Sequence, residues 1–439
     1  MRFKMSELAV ALGAELTGPA VPLVEGLATD SRRVRPGQLF AALTADRDGH
    51  DFVDAAVESG ASAVLVERPV DGVACLVVPD VTAALASLAV MARSAMPDRV
   101  VGITGSVGKT TTKDILAGLL GTRFVTAASE RSFNNELGVP LTLCNAADDV
   151  QAVVVEMGAR GVGHIRHLCD LADPTVGVIT TVQAVHTEVM GDEAQIAAAK
   201  GELVEALPAD GLAVLNASVP LVAALAARTP ARVLRFGRGG DVTAERVELN
   251  SELHPRFELR SPWGSRSVEL GVRGLHNVDN ALAAVTVALA LDVALDDAVT
   301  ALADAATSPW RMELSVAESG ARILNDAYNA SPASMDAALW ALSSLPARRR
   351  FAVLGEMAEL GERSTEEHRR VAATAADLGI VVVAVGTDMY GVEPVDSNED
   401  AGLVDAAVEA LGSLGEGDVV LVKASRFVGL ERVAEALLD

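Results

Sequence analysis

Val100-Val101-Gly102-Ile103-Thr104-Gly105-Ser106-Val107-Gly108-Lys109-Thr110-Thr111-Thr112 runs from a continuous apolar segment through a glycine-rich turn into a helical stretch that reaches about residue 120. The apolar part, Val100–Thr104, predicts a buried strand, and the whole reads as a strand–loop–helix unit. Such a turn aims successive backbone N–H groups at an anion, and the start of the helix adds the positive end of its dipole. Lys109 is placed to reach the β- and γ-phosphates of a nucleotide, and the Thr110 hydroxyl to ligate Mg²⁺. The full G-x-x-x-x-G-K-[ST] pattern needs glycine where the chain has Ile103, so this is a shortened T-G-x-x-G-K-T. Gly105, Ser106, Val107, Gly108, Lys109, Thr110 and Thr111 are the candidate nucleotide-phosphate ligands.

Working outward, further buried-strand candidates follow at Ala152–Glu156, 176–181 and Leu212–Asn216, with Ala-rich helical segments between them. That alternation predicts a doubly wound α/β sheet. Before residue 99 lie short strands (63–67, 75–79) and a helix at 84–96 stopped by Pro97. A long Ala/Val/Leu helix spans 278–291. After Ser308-Pro309 the alternation restarts, with strand-like runs at 322–326, 351–355, 381–386 and 419–423. Three domains are expected, at about 1–98, 99–310 and 311–439: a small α/β unit, a central P-loop-type sheet and a Rossmann-like C-terminal unit.

Composition sets limits on function. Of 439 residues half are hydrophobic but only 3% are aromatic, so the cores must be built from Ala, Val and Leu. Lys plus Arg number 36 against 60 Asp plus Glu, a net charge of -24, which disfavours a nucleic-acid partner. The densest basic run, Arg348-Arg349-Arg350, reads as a solvated lead-in to a strand. Cys75, Cys144 and Cys169 are too scattered for a disulfide framework or zinc site and read as buried thiols. No apolar run approaches the ~18 residues that span a bilayer, and the N-terminus reads as an amphipathic helix rather than a signal peptide. The reducing cytoplasm is the expected compartment, with no membrane insertion, and nothing demands more than a monomer.

Several residues carry two readings each. Glu156 ends a buried strand beside the phosphate loop, where a Mg²⁺ ligand belongs, although a strand-end acid facing solvent is as good a reading. His186 follows the third strand, at the ligand-binding edge. Lys200, in Ala198-Ala199-Lys200-Gly201, reads by default as a solvated helix lysine. Asn277, in Gly274-Leu275-His276-Asn277-Val278-Asp279-Asn280, caps a helix or reads a purine edge. Asn325-Asp326-Ala327-Tyr328-Asn329-Ala330-Ser331-Pro332 is either a turn or a binding loop at a strand end.

Taken in order along the chain, the markers resemble the Mur ligase family, the ATP-dependent amide-forming enzymes of peptidoglycan precursor synthesis. They are Thr29-Asp30-Ser31-Arg32, Asp48-Gly49-His50, the phosphate loop, Phe133-Asn134-Asn135-Glu136-Leu137-Gly138-Val139-Pro140 and Glu156-Met157-Gly158. His186, Lys200, His276-Asn277, Asp326-Ala327-Tyr328-Asn329-Ala330-Ser331-Pro332 and Lys423-Ala424-Ser425-Arg426 complete the set. The D-x-Y-N-A-x-P loop and K-x-S-R ending look most like the member that adds D-alanyl-D-alanine to UDP-N-acetylmuramoyl-tripeptide.

The resemblance implies ATP and Mg²⁺ as cofactors, with Thr110 and Glu156 on one metal and His186 and Lys200 on a second. Lys109, His186 and Lys200 then carry the chemistry, with Lys200 carbamylated. It further implies His276, Asn277, Asn280, Arg311 and Asp326 near the adenine and ribose, and Ser31 and Arg32 on the UDP. Asn134, Asn135, Tyr328, Asn329, Ser331, Lys423, Ser425 and Arg426 are the remaining substrate candidates. Thr181 and Ser331 stand where the family usually has Asn. Another Mur ligase, a folylpolyglutamate-synthase relative, or a P-loop kinase or nucleotide-regulated binding protein are the alternatives.

Overall fold

The computed structural model describes residues 1–183, 192–395 and 400–438. It shows three α/β domains. At its centre is a six-stranded, wholly parallel sheet in the order Arg232–Phe236, Leu212–Asn216, Val176–Ile179, Val100–Thr104, Ala152–Glu156, Thr126–Ala128. Both faces are apolar because successive side chains alternate. Val101, Ile103, Val154 and Val178 pack on one face, and Val100, Val153, Val155 and Ile179 on the other. The first face is covered by the helices Lys109–Gly121, Asn277–Ala290 and Leu295–Ala303, the second by Gly138–Cys144, His164–Ala172 and Glu193–Glu205.

Connections leave Val100–Thr104 toward one edge and Val176–Ile179 toward the other, so the order reverses between these neighbours. Such a reversal opens a crevice beyond the strands' C-terminal ends. The helix Lys109–Gly121 begins there despite three successive β-branched threonines, which are poor helix formers. Its apolar stripe, Ile115, Leu116, Leu119 and Leu120, is fully buried and offsets that preference.

The N-terminal sheet has the order Glu15–Thr17, Cys75–Val77, Ala63–Val66, Leu39–Ala41, Leu27–Ala28, antiparallel only at its first pair. The next helix, Val81–Ser94, starts at Asp80, whose carboxylate accepts from Ala83 N at 3.0 Å. It packs Leu85, Leu88 and Ala89 onto the helices Gly138–Cys144 and His164–Ala172, joining the first two cores. The C-terminal sheet runs Glu313–Val316, Arg322–Asn325, Asp418–Lys423, Arg349–Leu354, Val381–Ala384. All its pairs but the first are parallel.

Three features depart from the sequence reading. The strand expected over 176–181 stops at Ile179, because Thr180 and Thr181 turn out to hold the phosphate loop. An antiparallel sheet of Thr243–Leu249, Pro255–Ser261 and Gly264–Glu269 was not anticipated. Its outward side chains are mostly Arg, Glu and Ser, while Phe257, Leu259 and Val268 are buried in the core. The basic run is not merely solvated either, since Arg348 and Arg349 both pair with the fully buried Asp418. All three cysteines are buried and free, and among the described residues no helix is long and apolar enough to cross a membrane.

Candidate active site

The phosphate loop is clasped from behind. Ser106 N donates to Thr181 O at 2.9 Å, and Val107 N to Thr181 Oγ1 at 3.1 Å. The Ser106 hydroxyl donates to Gln183 O (3.1 Å) and accepts from Gln183 N (3.0 Å), while Thr180 Oγ1 donates to Val107 O at 2.6 Å. Thr181, where the family usually has Asn, therefore supports the loop. Both loop glycines are required. A Cβ on Gly105 (φ +154°) would lie 1.9 Å from Thr180 Oγ1. One on Gly108 (φ +86°) would lie 2.2 Å from Asn280 Oδ1.

Lys109 is half-buried and folds its amine onto Gly105 O at 2.7 Å and Ser106 O at 3.4 Å. Burial lowers its pKa; Glu156 opposes that shift, Arg311 adds to it and Glu359 opposes it. Those three charges therefore act on the amine, two of them from beyond the central sheet.

Glu156 is 1% exposed at the end of its strand. Its Oε1 accepts from Asn134 Nδ2 at 2.9 Å, whereas Oε2 is buried without a hydrogen-bond partner. Thr104 Oγ1 is likewise buried and unpartnered, and Thr110 is 5% exposed at the helix start. A buried carboxylate oxygen without a donor is costly unless a cation completes it. Among the described residues no three His, Cys, Asp or Glu gather around one point. One carboxylate with hydroxyls suits Mg²⁺, which keeps its waters and shares nucleotide phosphates. The donors present thus fit such an ion.

Lys200 overturns its default reading: it is 2% exposed. The helix Glu193–Glu205, boxed at its start by Asp192 and Gln195, is buried on most of its circumference. Burial, and secondarily the charge of Lys109, brings the Lys200 pKa down to about 7. His186 lies outside the described residues.

On the far side of the loop, Asn277 and Asn280 are buried and joined, Asn280 Nδ2 donating to Asn277 Oδ1 at 2.7 Å. Asn280 Oδ1 also accepts from Thr112 Oγ1 at 3.3 Å, and Asn277 Nδ2 donates to Arg273 O at 2.6 Å. Their amides thus tie the helix Asn277–Ala290 to the helix of the phosphate loop. His276 is exposed just ahead of that helix. Asn135 Oδ1 accepts from Gly138 N at 3.0 Å, which serves the start of the helix Gly138–Cys144.

The third domain closes the crevice. The Arg311 guanidinium lies 4.1 Å over the Tyr328 ring with its Nε buried and unpartnered. The Tyr328 hydroxyl donates to Ser132 Oγ in the central domain. Lys423 pairs with Asp326 and donates to Asn329 O at 2.8 Å, fixing that loop from below. Ser425 Oγ accepts from Ala358 N at 2.9 Å, and the Arg426 guanidinium lies 4.4 Å over Trp310. Ser331 caps the helix Pro332–Ser344, its N–H donating to Ser334 Oγ at 2.9 Å. Asn329 is exposed.

In the first domain Ser31 is buried, while Arg32 is exposed and forked onto Asp30 at 2.9 and 2.8 Å. Asp48 holds both the His50 ring (2.7 Å) and Arg68 (2.6 Å), a structural knot. Between this domain and the central sheet lies a cavity of about 600 Å³, lined among others by Thr29, Asp30, Arg33, Arg35, Glu130 and Phe133.

Comparison with known proteins resolves what this arrangement belongs to. Three family models match in succession: "Mur ligase family, catalytic domain" over 23–93, "Mur ligase middle domain" over 103–288 and "Mur ligase, glutamate ligase domain" over 310–426. The UDP-N-acetylmuramoyl-tripeptide--D-alanyl-D-alanine ligase of Mycobacterium tuberculosis (strain ATCC 25618 / H37Rv) is 39% identical, covering 99% of this chain and 98% of its own. The chain belongs to the Mur ligase family. The Escherichia coli (strain K12) ligase of the same name is 34% identical over 99% of this chain and 98% of its own. MurF from Acinetobacter baumannii superposes with a TM-score of 0.88 at 31% identity, covering 100% of this chain and 99% of that one. The MurF ligase from Thermotoga maritima in complex with ADP gives 0.79 at 31%, over 94% and 97%.

Within this Mur ligase the structure adds residues that the sequence reading passed over. Lys113, Ser129 and Ser132 shape the Asn134 loop, and Thr180 braces the phosphate loop. The signal for Lys200 was present in its small neighbours, Ala197-Ala198-Ala199 before it and Gly201 after it, which let a helix approach its surroundings closely.

Proposed function

We infer that this Mur ligase joins D-alanyl-D-alanine to UDP-N-acetylmuramoyl-tripeptide while ATP is split to ADP and phosphate. The observation that carries the reading is full-length similarity to ligases of that name, in a chain whose phosphate loop, Glu156 and Lys200 converge on one crevice. Each domain, at about 1–98, 99–310 and 311–439, takes one substrate. The cavity beside Ser31 and Arg32, with Arg33 and Arg35 on its wall, suits the UDP-sugar. The loop 105–111 takes the ATP phosphates, with His276, Asn277, Asn280, Arg311 and Asp326 on the adenosine side. The third domain, through Tyr328, Asn329, Ser331, Lys423, Ser425 and Arg426, presents the dipeptide.

Chemically, the tripeptide carboxylate attacks the γ-phosphorus and ADP leaves, giving an acyl phosphate. The dipeptide amine then attacks that carbonyl, and phosphate departs as the tetrahedral intermediate collapses. Lys109 neutralises charge that spreads over the phosphoryl oxygens. Thr110 and Glu156 are the residues that would hold one Mg²⁺, which supplies further charge neutralisation. An amine with a pKa of about 7 is substantially neutral at physiological pH, the form that reacts with CO₂. That supports carbamylation of Lys200, whose new carboxylate would join His186 at a second metal. The acidic chain suits a cytoplasmic monomer carrying the whole site.

The test is phosphate release from ATP with UDP-N-acetylmuramoyl-tripeptide, with and without D-alanyl-D-alanine, together with the product mass. Release that depends on the dipeptide, with a product heavier by one dipeptide, is expected. Release that depends on another amine would move the chain to a sister activity, and release indifferent to amines would refute the ligase reading.

A further inference from the structure

Lys113 lies one helical turn beyond Lys109 and is 2% exposed. Its ammonium donates to Ser129 O at 2.7 Å and Arg131 O at 2.8 Å, and pairs with Asp114 at 2.8 Å. Two of its protons are thereby used in hydrogen bonds, and the Asp114 carboxylate balances its charge. An ammonium is buried at heavy desolvation cost unless fully satisfied, so both carbonyls are held where the amine needs them. Arg131 is a non-glycine residue at φ +50°, a conformation that needs such outside support.

The segment so held, 129–134, is a junction. Glu130 pairs with Arg33 of the first domain, and Ser132 receives the Tyr328 hydroxyl of the third. Ser129 Oγ accepts from Glu156 N at 3.1 Å, and Asn134 Nδ2 donates to Glu156 Oε1 at 2.9 Å. Asn134 cannot shift freely. Gly158 N donates to its carbonyl at 2.7 Å, and a Cβ at 158 would lie 2.8 Å from Asn134 Oδ1.

We propose that Lys113 is a positioning residue for the metal site, fixing the 129–134 segment so that Asn134 occupies one oxygen of Glu156 and leaves the other aimed at the ion. The proposal rests on the reading of Glu156 as a Mg²⁺ ligand. Lys113 touches neither nucleotide nor metal; it acts through Ser129, Arg131 and Asn134. The polar neighbours of a metal ligand commonly set affinity by about 10–100-fold.

The experiment is equilibrium binding of ADP to the full chain, titrated at stepped Mg²⁺ without turnover, alongside thermal melting. Lys113→Met is expected to raise the Mg²⁺ midpoint by about 10–100-fold while leaving Mg²⁺-free ADP affinity within about twofold, and Lys113→Arg to recover part of the shift. Asn134→Leu, which leaves the ammonium in place, should reproduce it and decides the question if Lys113→Met does not fold. A lower melting temperature with an unmoved Mg²⁺ midpoint in both variants overturns the proposal. Glu156→Gln separates the two readings. If it shifts the midpoint and Lys113→Met does not, only the positioning role is lost. If it does not, the metal reading fails and the proposal with it.

Discussion

Asn280 closes directly over Gly108: the amide oxygen that accepts from Thr112 would sit 2.2 Å from any Cβ placed on that glycine. Gly108 also holds φ at +86°, where L-residues are strained. Gly108→Ala must therefore displace a buried amide that ties two helices together, or deform the loop. We expect ADP affinity to fall more than ~10-fold and the melting temperature to drop by roughly 3–8 °C, the consequence of losing about 1–2 kcal/mol or more in a domain of this size. Gly118→Ala, inside the helix that Gly108 caps and with open space around it, is the control: ADP affinity should hold and the melting temperature should stay level or rise slightly. Equal losses in the two variants would show that close packing at Asn280 is not what selects glycine.

The Arg311–Tyr328 stack links the start of the third domain to the loop that follows Arg322–Asn325. A planar guanidinium over a ring is not reproduced by an ammonium. Arg311→Lys keeps the charge near Lys109 and removes the stack. Turnover is expected to fall about 5–30-fold, in line with roughly 1–2 kcal/mol for a desolvated cation–π contact. Tyr328→Phe keeps the ring and should lose much less. Steady-state kinetics with both substrates saturating tests the pair; parity of the two variants would mean that charge alone matters.

What the sequence disclosed, and what it hid, follows from the range of the interactions concerned. The strand–loop–helix unit at 100–120 was legible because an apolar run, two glycines and a lysine define it within one stretch of chain. Glu156 and Lys200 were ambiguous because their meaning is burial, and burial depends on residues far away in sequence. Lys200 looks like any helix lysine until Glu193–Glu205 is found packed on most sides. Thr181 resembled a departure from pattern, yet its hydroxyl and carbonyl serve the loop backbone 74 and 75 positions earlier. The antiparallel sheet at 243–269 escaped because its outward charges dilute the alternation at Phe257 and Leu259.

Asp418 shows what the basic run is for. Its fully buried carboxylate accepts from Arg349 Nε at 2.9 Å, from Arg348 Nη2 at 3.2 Å and from Gly415 N at 2.9 Å. The Arg349 hydrogen bond, chiefly, holds its pKa well below the usual carboxylate value of 3.8. A depressed carboxylate contributes stability that is fully present above its unfolded pKa and is lost as pH falls toward its folded one. Asp418→Asn is therefore expected to lower the melting temperature at pH 7 by roughly 3–8 °C, with the difference from the native chain narrowing below pH ~4. Calorimetry at pH 7, 5 and 3.5 checks this; a difference independent of pH would mean that packing, not charge, is what the substitution removes.

Lys200 makes the opposite prediction with respect to pH. Its amine falls from 10.5 to about 7 in the folded chain, because burial and then the Lys109 charge disfavour the ammonium. Below pH about 7 both states carry the proton, and the folded chain bears the whole cost of a dry ammonium. Between about 7 and 10.5 the unfolded chain still holds the proton while the folded one has released it, so stability rises with pH across that window. Lys200→Met removes the cost. In buffer freed of CO₂ it should melt higher than the native chain at pH 6.5, by several degrees if a few kcal/mol are relieved, with the gain shrinking toward pH 10. The same variant should be inactive, and Lys200→Ala should regain part of its turnover with formate or acetate, which would stand in for the carbamate. A melting difference that does not change between pH 6.5 and 10 would place the ammonium in water. Full activity in Lys200→Ala without any added acid would remove Lys200 from the chemistry.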